Sequence, residues 1–184
     1  MKTVQLEPWI VTQSKEILNV PPWIRIVRQQ VTLPDGRIID DYHQVTFPDF
    51  AVAVVQNEAG EFILARQYRQ GIGKISLLLP GGQINLGEKP LDAVKRELFE
   101  ETGYIAKNWQ SLGCFVVNAN YGCGRAHVFT ANNARQLQPP NSGDLEEVEL
   151  LFLTRNQLLC ALQNGDIAAL GVAAAISLAL LLNH

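Results

Sequence analysis

The order of elements along the chain predicts an α+β layered domain. Three observations lead there. Short alternating or apolar runs, bounded by turn signals, fill most of the first 80 positions. One helical segment, framed by Pro90 and Gly103, interrupts the strands. Two more helical segments close the chain.

From Trp23 to Phe47 apolar and polar residues roughly alternate around Pro34-Asp35-Gly36, the pattern of a hairpin. Pro48 ends it. A second hairpin is expected from Phe50–Val55 and Phe62–Tyr68 about the turn Glu58-Ala59-Gly60. Ile75–Leu79 reads as a short apolar strand running into Pro80-Gly81-Gly82. Beyond the central helix, strands are expected near Gly113–Val117, Ala126–Thr130 and Val148–Leu153. Thr154 with Gln157 forms a capping-box signal for a helix that Asn164-Gly165 ends. The apolar stretch Ile167–Leu182, with Asp166 able to cap it, is expected to be a last helix, buried in the core or at a subunit contact. At 16 residues it falls short of the roughly 20 that a membrane span requires.

Composition narrows the function classes. Hydrophobic residues make up 47% and charged residues 18%, so the 184 residues can build a core. The net charge of −3, with no Lys/Arg run, argues against nucleic acid as a partner. An acidic chain acting on an anion would need local cations, from arginine or from metal. Cys114, Cys123 and Cys160 form no CxxC pair and read as reduced thiols. The N-terminal MKTVQLEPWIVTQSKEI has no basic region followed by an apolar run, and the expected location is the cytoplasm.

The central helix, expected over about 90 to 102, is locally unfavourable. Glu97, Glu100 and Glu101 crowd its C-terminal end, where the helix dipole is negative. Like charges four apart cost roughly 0.2–0.5 kcal/mol per pair. At about 100° per residue these acids share one arc with Ala93, while Leu91, Val94, Leu98 and Thr102 make the neighbouring, core-facing arc. A solvated acidic face steadied by Lys95 and Arg96 is one explanation. The other is metal. The tight Gly81-Gly82 turn and the Gly87-Glu88 loop bring backbone carbonyls and a fourth acid towards the helix. Clustered hard oxygens suit Mg²⁺ or Mn²⁺, and a divalent cation would relieve the repulsion.

The spacing is specific. Gly82 is followed after five residues by Glu88, and after seven more by Arg96-Glu97-Leu98. One residue on come Glu100-Glu101, and after one more Gly103-Tyr104. This resembles the Nudix box, GX5EX7REUXEEXGU with U aliphatic, and departs from it only at Tyr104, a packing position. The resemblance implies an α/β/α sandwich with a mixed sheet, and hydrolysis of a nucleoside diphosphate linked to another group. It implies Mg²⁺ or Mn²⁺ held by Glu97, Glu101 and the Gly81 carbonyl, with Glu100 as a further ligand or as the base. Arg96 would orient the acids. Glu88 would edge the metal site, and Gly82 and Gly103 would support the box.

The 45 or so residues before the first core strand, and the Gly165-Asp166-Ile167 helix entry, resemble the ADP-ribose and nucleotide-sugar pyrophosphatases of that family. In that group such an extension helps form a dimer and part of the substrate pocket. The resemblance thus implies an N-terminal β extension over 1–48, a hydrolase domain over 49–184, and a homodimer. Arg66-Gln67-Tyr68-Arg69 resembles the group's arginine-bearing strand end, with Arg69 reaching phosphates. Trp23, Tyr42 and Tyr121 are the aromatic candidates for a base. Glu146 or Glu147, in the acidic run before the strand at 148, could supply a catalytic Glu, or belong to an ordinary polar loop. Two features depart from the group: Leu78 stands where a Glu is common, and no proline follows the box in the 118–125 segment. The rival substrates are GDP-mannose, other nucleotide sugars and dinucleotides. A Nudix-fold module that binds nucleotide without cutting it is the alternative outside enzymes.

Overall fold

A computed structural model of the chain describes residues 6–141 and 148–182. These fall into two compact units, one of residues 6–48 with 116–125, the other of 49–115 with 126–141 and 148–182.

The first unit is an antiparallel sheet of β1 (Ile10–Val20), β2 (Ile24–Thr32) and β3 (Ile38–Thr46). The β2–β3 turn falls where Pro34-Asp35-Gly36 placed it. Gly36 has φ 84°, and the Asp35 carboxylate accepts from the Arg37 amide at 3.1 Å. Sequence reading did not anticipate β1, whose eleven residues are all exposed. A strand exposed on both faces carries no alternation to read, and it exists through its pairing with β2. Residues 116–125 belong to this unit too, with Val45 paired to Gly122.

In the second unit the central strand is β4 (Phe50–Asn57). Residues 51–55, AVAVV, are buried throughout, as a strand covered on both faces must be. Along one edge β4 pairs in parallel with β9 (Gly122–Gln136) from residue 126 onwards. On the other it pairs antiparallel with β7 (Gly81–Gln83) and, at Gln56, with β5 (Phe62–Arg69). β5 in turn carries β6 (Lys74–Leu78) and β10 (Glu149–Leu153). β8 (Tyr104–Asn118) begins directly after the central helix and is much longer than the short strand expected near 113.

Helices cover both faces. α1 (Pro90–Thr102) packs Ala93, Val94 and Leu98 on Ala51, Ala53, Val55, Ile63 and Phe129. On the opposite face α2 (Arg155–Asn164) and α3 (Leu170–Leu182) pack Leu158, Ala175, Ile176 and Ala179 on Val52, Val54 and Leu64. The α/β/α layering is therefore as expected. So is the Thr154 capping box of α2. Two details differ. Ala93 is fully buried rather than on the acidic arc. α3 starts at Leu170, so Asp166 does not cap it. Asp166–Ala168 instead lies along β6, its Asp166 carbonyl accepting from the Leu77 amide at 2.9 Å. The Ser76 hydroxyl joins the same strip, donating to that carbonyl at 3.1 Å and accepting from the Ala168 amide at 2.9 Å. Among the described residues no helix is long and apolar enough to cross a membrane.

Candidate active site

α1 starts at Pro90 without a side-chain cap and ends at Gly103, whose φ of 73° lets its amide close on the Phe99 carbonyl. The short strand β7 lies against the helix. The Gly81 amide donates to Glu101 Oε2 at 2.9 Å. At Gly82 an added Cβ would sit 2.6 Å from the Glu97 carboxyl carbon and would push that carboxylate from its place. Strand and helix thus meet with the carboxylates of Glu97 and Glu101 held against the backbone of Gly82 and Gly81.

Arg96 organises the remaining acids. Its Nε donates to Glu88 Oε1 at 2.9 Å and one Nη to Glu88 Oε2 at 3.0 Å, a two-pronged pairing. That same Nη reaches the Gln83 carbonyl at 3.0 Å. The other Nη donates to Glu97 Oε1 at 2.6 Å and to Glu100 Oε2 at 3.1 Å. Glu88 also accepts from the Asn85 amide, which ties the loop to the helix. One guanidinium therefore serves three carboxylates and a carbonyl, a task that suits the planar fork of arginine and not the point charge of lysine.

The electrostatics of the acids diverge. Burial pushes the Glu97 carboxyl above its ordinary value, against the pull of Arg96 and with help from Glu100 and Glu88. The Arg96 hydrogen bond, helped by the Asn85 amide, holds the Glu88 carboxyl below its ordinary value. Glu100 is the most open of the Arg96-paired acids, with 46% of its side chain exposed.

The donors here are all oxygens of hard, anionic or carbonyl character, which is the set Mg²⁺ or Mn²⁺ takes. Among the described residues no three Asp, Glu, His or Cys side chains are drawn together tightly enough to clasp an ion, because Glu88, Glu97 and Glu100 are spread around Arg96. Two observations still fit a cation. Glu97 is a largely buried carboxylate that shares one guanidinium with Glu88 and Glu100. The missing Cβ of Gly82 leaves that carboxylate room beside the strand.

Other expected residues lie elsewhere. Arg69 ends β5 opposite Lys74, whereas the strand end leading to Gly81 is opposite Ala65. Those points are four residues, about 13 Å, apart along the strand. In the N-terminal unit the Tyr42 hydroxyl donates to the Asn120 carbonyl at 2.6 Å, beside Tyr121, and its ring meets Trp9 edge-on at 5.7 Å. Trp23 sits exposed in the β1–β2 turn, six residues along β2 from the Gln29 that pairs with Tyr42, so the three aromatic residues form no single pocket. Glu146 and Glu147 lie outside the described residues.

The chain has relatives among known proteins. The NUDIX domain profile matches residues 46–172. The chain is 26% identical over 157 residues to an ADP-ribose pyrophosphatase of Bacillus subtilis (strain 168), covering 85% of this chain and 84% of that protein. It is 34% identical over 105 residues to an ADP-sugar pyrophosphatase of Mus musculus, covering 54% of this chain and 48% of that one. A crystal structure of an ADP compounds hydrolase superposes with a TM-score of 0.82 at 16% identity, over 96% of this chain and 95% of that one, and so shares the fold. The match spans more than half of the chain and contains the whole Gly82–Tyr104 segment, and the protein belongs to the Nudix family, as a Nudix hydrolase.

Proposed function

We propose that the chain hydrolyses the pyrophosphate bond of ADP-ribose or a similar nucleoside diphosphate sugar, giving a nucleoside monophosphate and a sugar phosphate, with Mg²⁺ or Mn²⁺. The observation that carries this is the acid face of α1, gathered on Arg96 and on the Gly81 amide. The likeness to the Bacillus subtilis ADP-ribose pyrophosphatase along most of the chain supports the substrate class.

Glu97, Glu101, Glu100 and the Gly81 carbonyl would hold the cation. When bound, it neutralises diphosphate charge and acidifies water near pH 7. The protein's own part is orientation and proton transfer. Arg96 fixes the rotamers of Glu97 and Glu100, and the Gly81 amide fixes Glu101. Glu100, the most open of the Arg96-paired acids, is our choice for the group that takes the proton of the attacking water. Glu146 or Glu147 is the alternative base.

Comparing kcat/KM for ADP-ribose and GDP-mannose with Mg²⁺ tests the substrate. ADP-ribose is expected to win. A tenfold or greater advantage for GDP-mannose would overturn the choice, and equal values would mark a broad nucleotide-sugar hydrolase.

We also propose a homodimer that uses the N-terminal sheet. Ile10, Val11, Ile17, Leu18 and Val20 of β1 are all exposed apolar side chains on an edge strand, a surface that proteins usually cover. Light scattering at micromolar concentration is expected to give about twice the chain mass, and a value near 20.4 kDa would refute the dimer.

A further inference from the structure

β9, β4 and β7 lie side by side, and their register puts His127, Ala51 and Gly82 in one row. Residues paired in register project from the same face of a sheet. Neighbouring pairs fix which face this is. Ala53 with Phe129, and Val55 with Ala131, are buried together beneath α1, while Val52 with Val128 is buried on the α2–α3 side. His127 precedes Phe129 by two residues on the same strand, so its imidazole projects on the α1 side. At the far end of the row Gly82 faces the Glu97 carboxylate. Two strand spacings, about 9.5 Å, separate His127 from Gly82. Between them stands only Ala51, whose methyl leaves the floor of the row low.

The residue type is out of pattern. The other α1-side residues that follow on β9, Phe129 and Ala131, are apolar, and the series turns polar at the position level with Gly82 and Glu97. His127 is half-buried, and its Nε2 lies 3.7 Å from Cys114 Sγ, which steadies the ring from β8. Among the described residues it has no other hydrogen bond or ion pair, so its second ring nitrogen is uncommitted. Arg96, the cation on the acid face itself, is already occupied by four acceptors. An anionic substrate drawn to that face therefore needs a nitrogen donor from somewhere else.

We propose that His127 is a substrate-contacting residue of this site, donating from its imidazole to an oxygen of the diphosphate held at the acid face. This rests on the pyrophosphatase reading above. His127→Ala and His127→Gln are compared with the parent in two assays. One is steady-state hydrolysis of ADP-ribose with Mg²⁺, and the other is calorimetric binding of α,β-methylene-ADP with Mg²⁺. The alanine variant is expected to raise both KM and Kd by about tenfold, the worth of one charge-assisted hydrogen bond, with kcat changed far less. Glutamine, which keeps a donor, is expected to recover part of the loss. A purely structural role would move melting temperature and kcat together and leave no such split. Values of KM and Kd within twofold of the parent, in variants that melt like the parent, would overturn the proposal. Should neither variant fold, the imidazole ¹⁵N resonances of the parent decide. A shift of the His127 signal on adding α,β-methylene-ADP supports the contact, and an unmoved signal refutes it. No hydrolysis of ADP-ribose by the parent with Mg²⁺ would instead sink the pyrophosphatase reading, and the binding and NMR arms would still judge His127 separately.

Discussion

Glu97→Gln and Glu101→Gln are each expected to lower turnover by roughly a hundredfold or more while the fold survives, as loss of a hard anionic ligand at a catalytic metal does. Glutamine keeps the shape of either side chain and an oxygen that can still accept from Arg96 or from the Gly81 amide. What it removes is charge. The fold is expected to respond in the opposite direction from activity. Burial raises the Glu97 carboxyl above its ordinary 4.5, so the folded chain holds that proton more tightly than the unfolded chain does. Its contribution to stability is complete below about pH 4.5 and is lost as pH rises through the raised value. Glutamine at 97 has no proton to lose. In chelator near neutral pH the variant is therefore expected to melt level with or above the parent, with the difference shrinking towards pH 4. Glu88 works in the opposite sense, since its lowered carboxyl stabilises above 4.5 and fails as pH falls. Near-normal turnover with Mg²⁺ in either glutamine variant would show that the metal site is wrongly assigned.

Gly103→Ala is expected to be the most damaging single methyl on the box helix. The residue sits at φ 73°, a left-handed conformation that costs any side chain about 1 kcal/mol. The added Cβ would also overlap the Gln138 carbonyl oxygen and lie 2.9 Å from the carbonyl carbon of that residue. These are backbone atoms and cannot step aside as a flexible side chain can. Strain and overlap together are expected to cost about 3 kcal/mol or more, lowering the midpoint in urea and releasing the segment after β9 from the end of α1. A midpoint unchanged within error would mean that 137–139 moves freely and does not brace the helix.

What was legible in the sequence was local. Pro34-Asp35-Gly36, the apolar run of β4, Pro90 and Gly103 around α1, and the Thr154–Gln157 box each state their structure within a few residues. The acids of α1 were legible too, since their spacing alone marks a helix that works against itself. What escaped depended on partners far along the chain. β1 is a strand because β2 lies beside it, and nothing in IVTQSKEILNV alternates between a wet and a dry face. Ala93 was assigned to the acidic arc because angles on a helical wheel do not say how wide a strip the sheet covers. Asp166 looked like a cap, but its backbone had already been recruited by Ser76 and Leu77, some 90 residues earlier. The row from His127 to Gly82 is a matter of register between three strands, and sequence order hides it.

The strip that joins Asp166–Ala168 to β6 bears on how the protein is made. Residues that pack under α1 run from Ala51 to Ala134, so that half of the core has all its parts once about three-quarters of the chain has left the ribosome. The other half waits. Val52, Val54 and Leu64 emerge early, but their cover, Leu158 through Leu180, comes last, and the Ser76 hydroxyl waits for Asp166 and Ala168 to complete its bonds to that strip. During synthesis the nascent sheet must therefore travel with one face closed and the other greasy. The carboxylate cluster, charged and already on the finished side, can assemble while the rest of the domain is still open to chaperones.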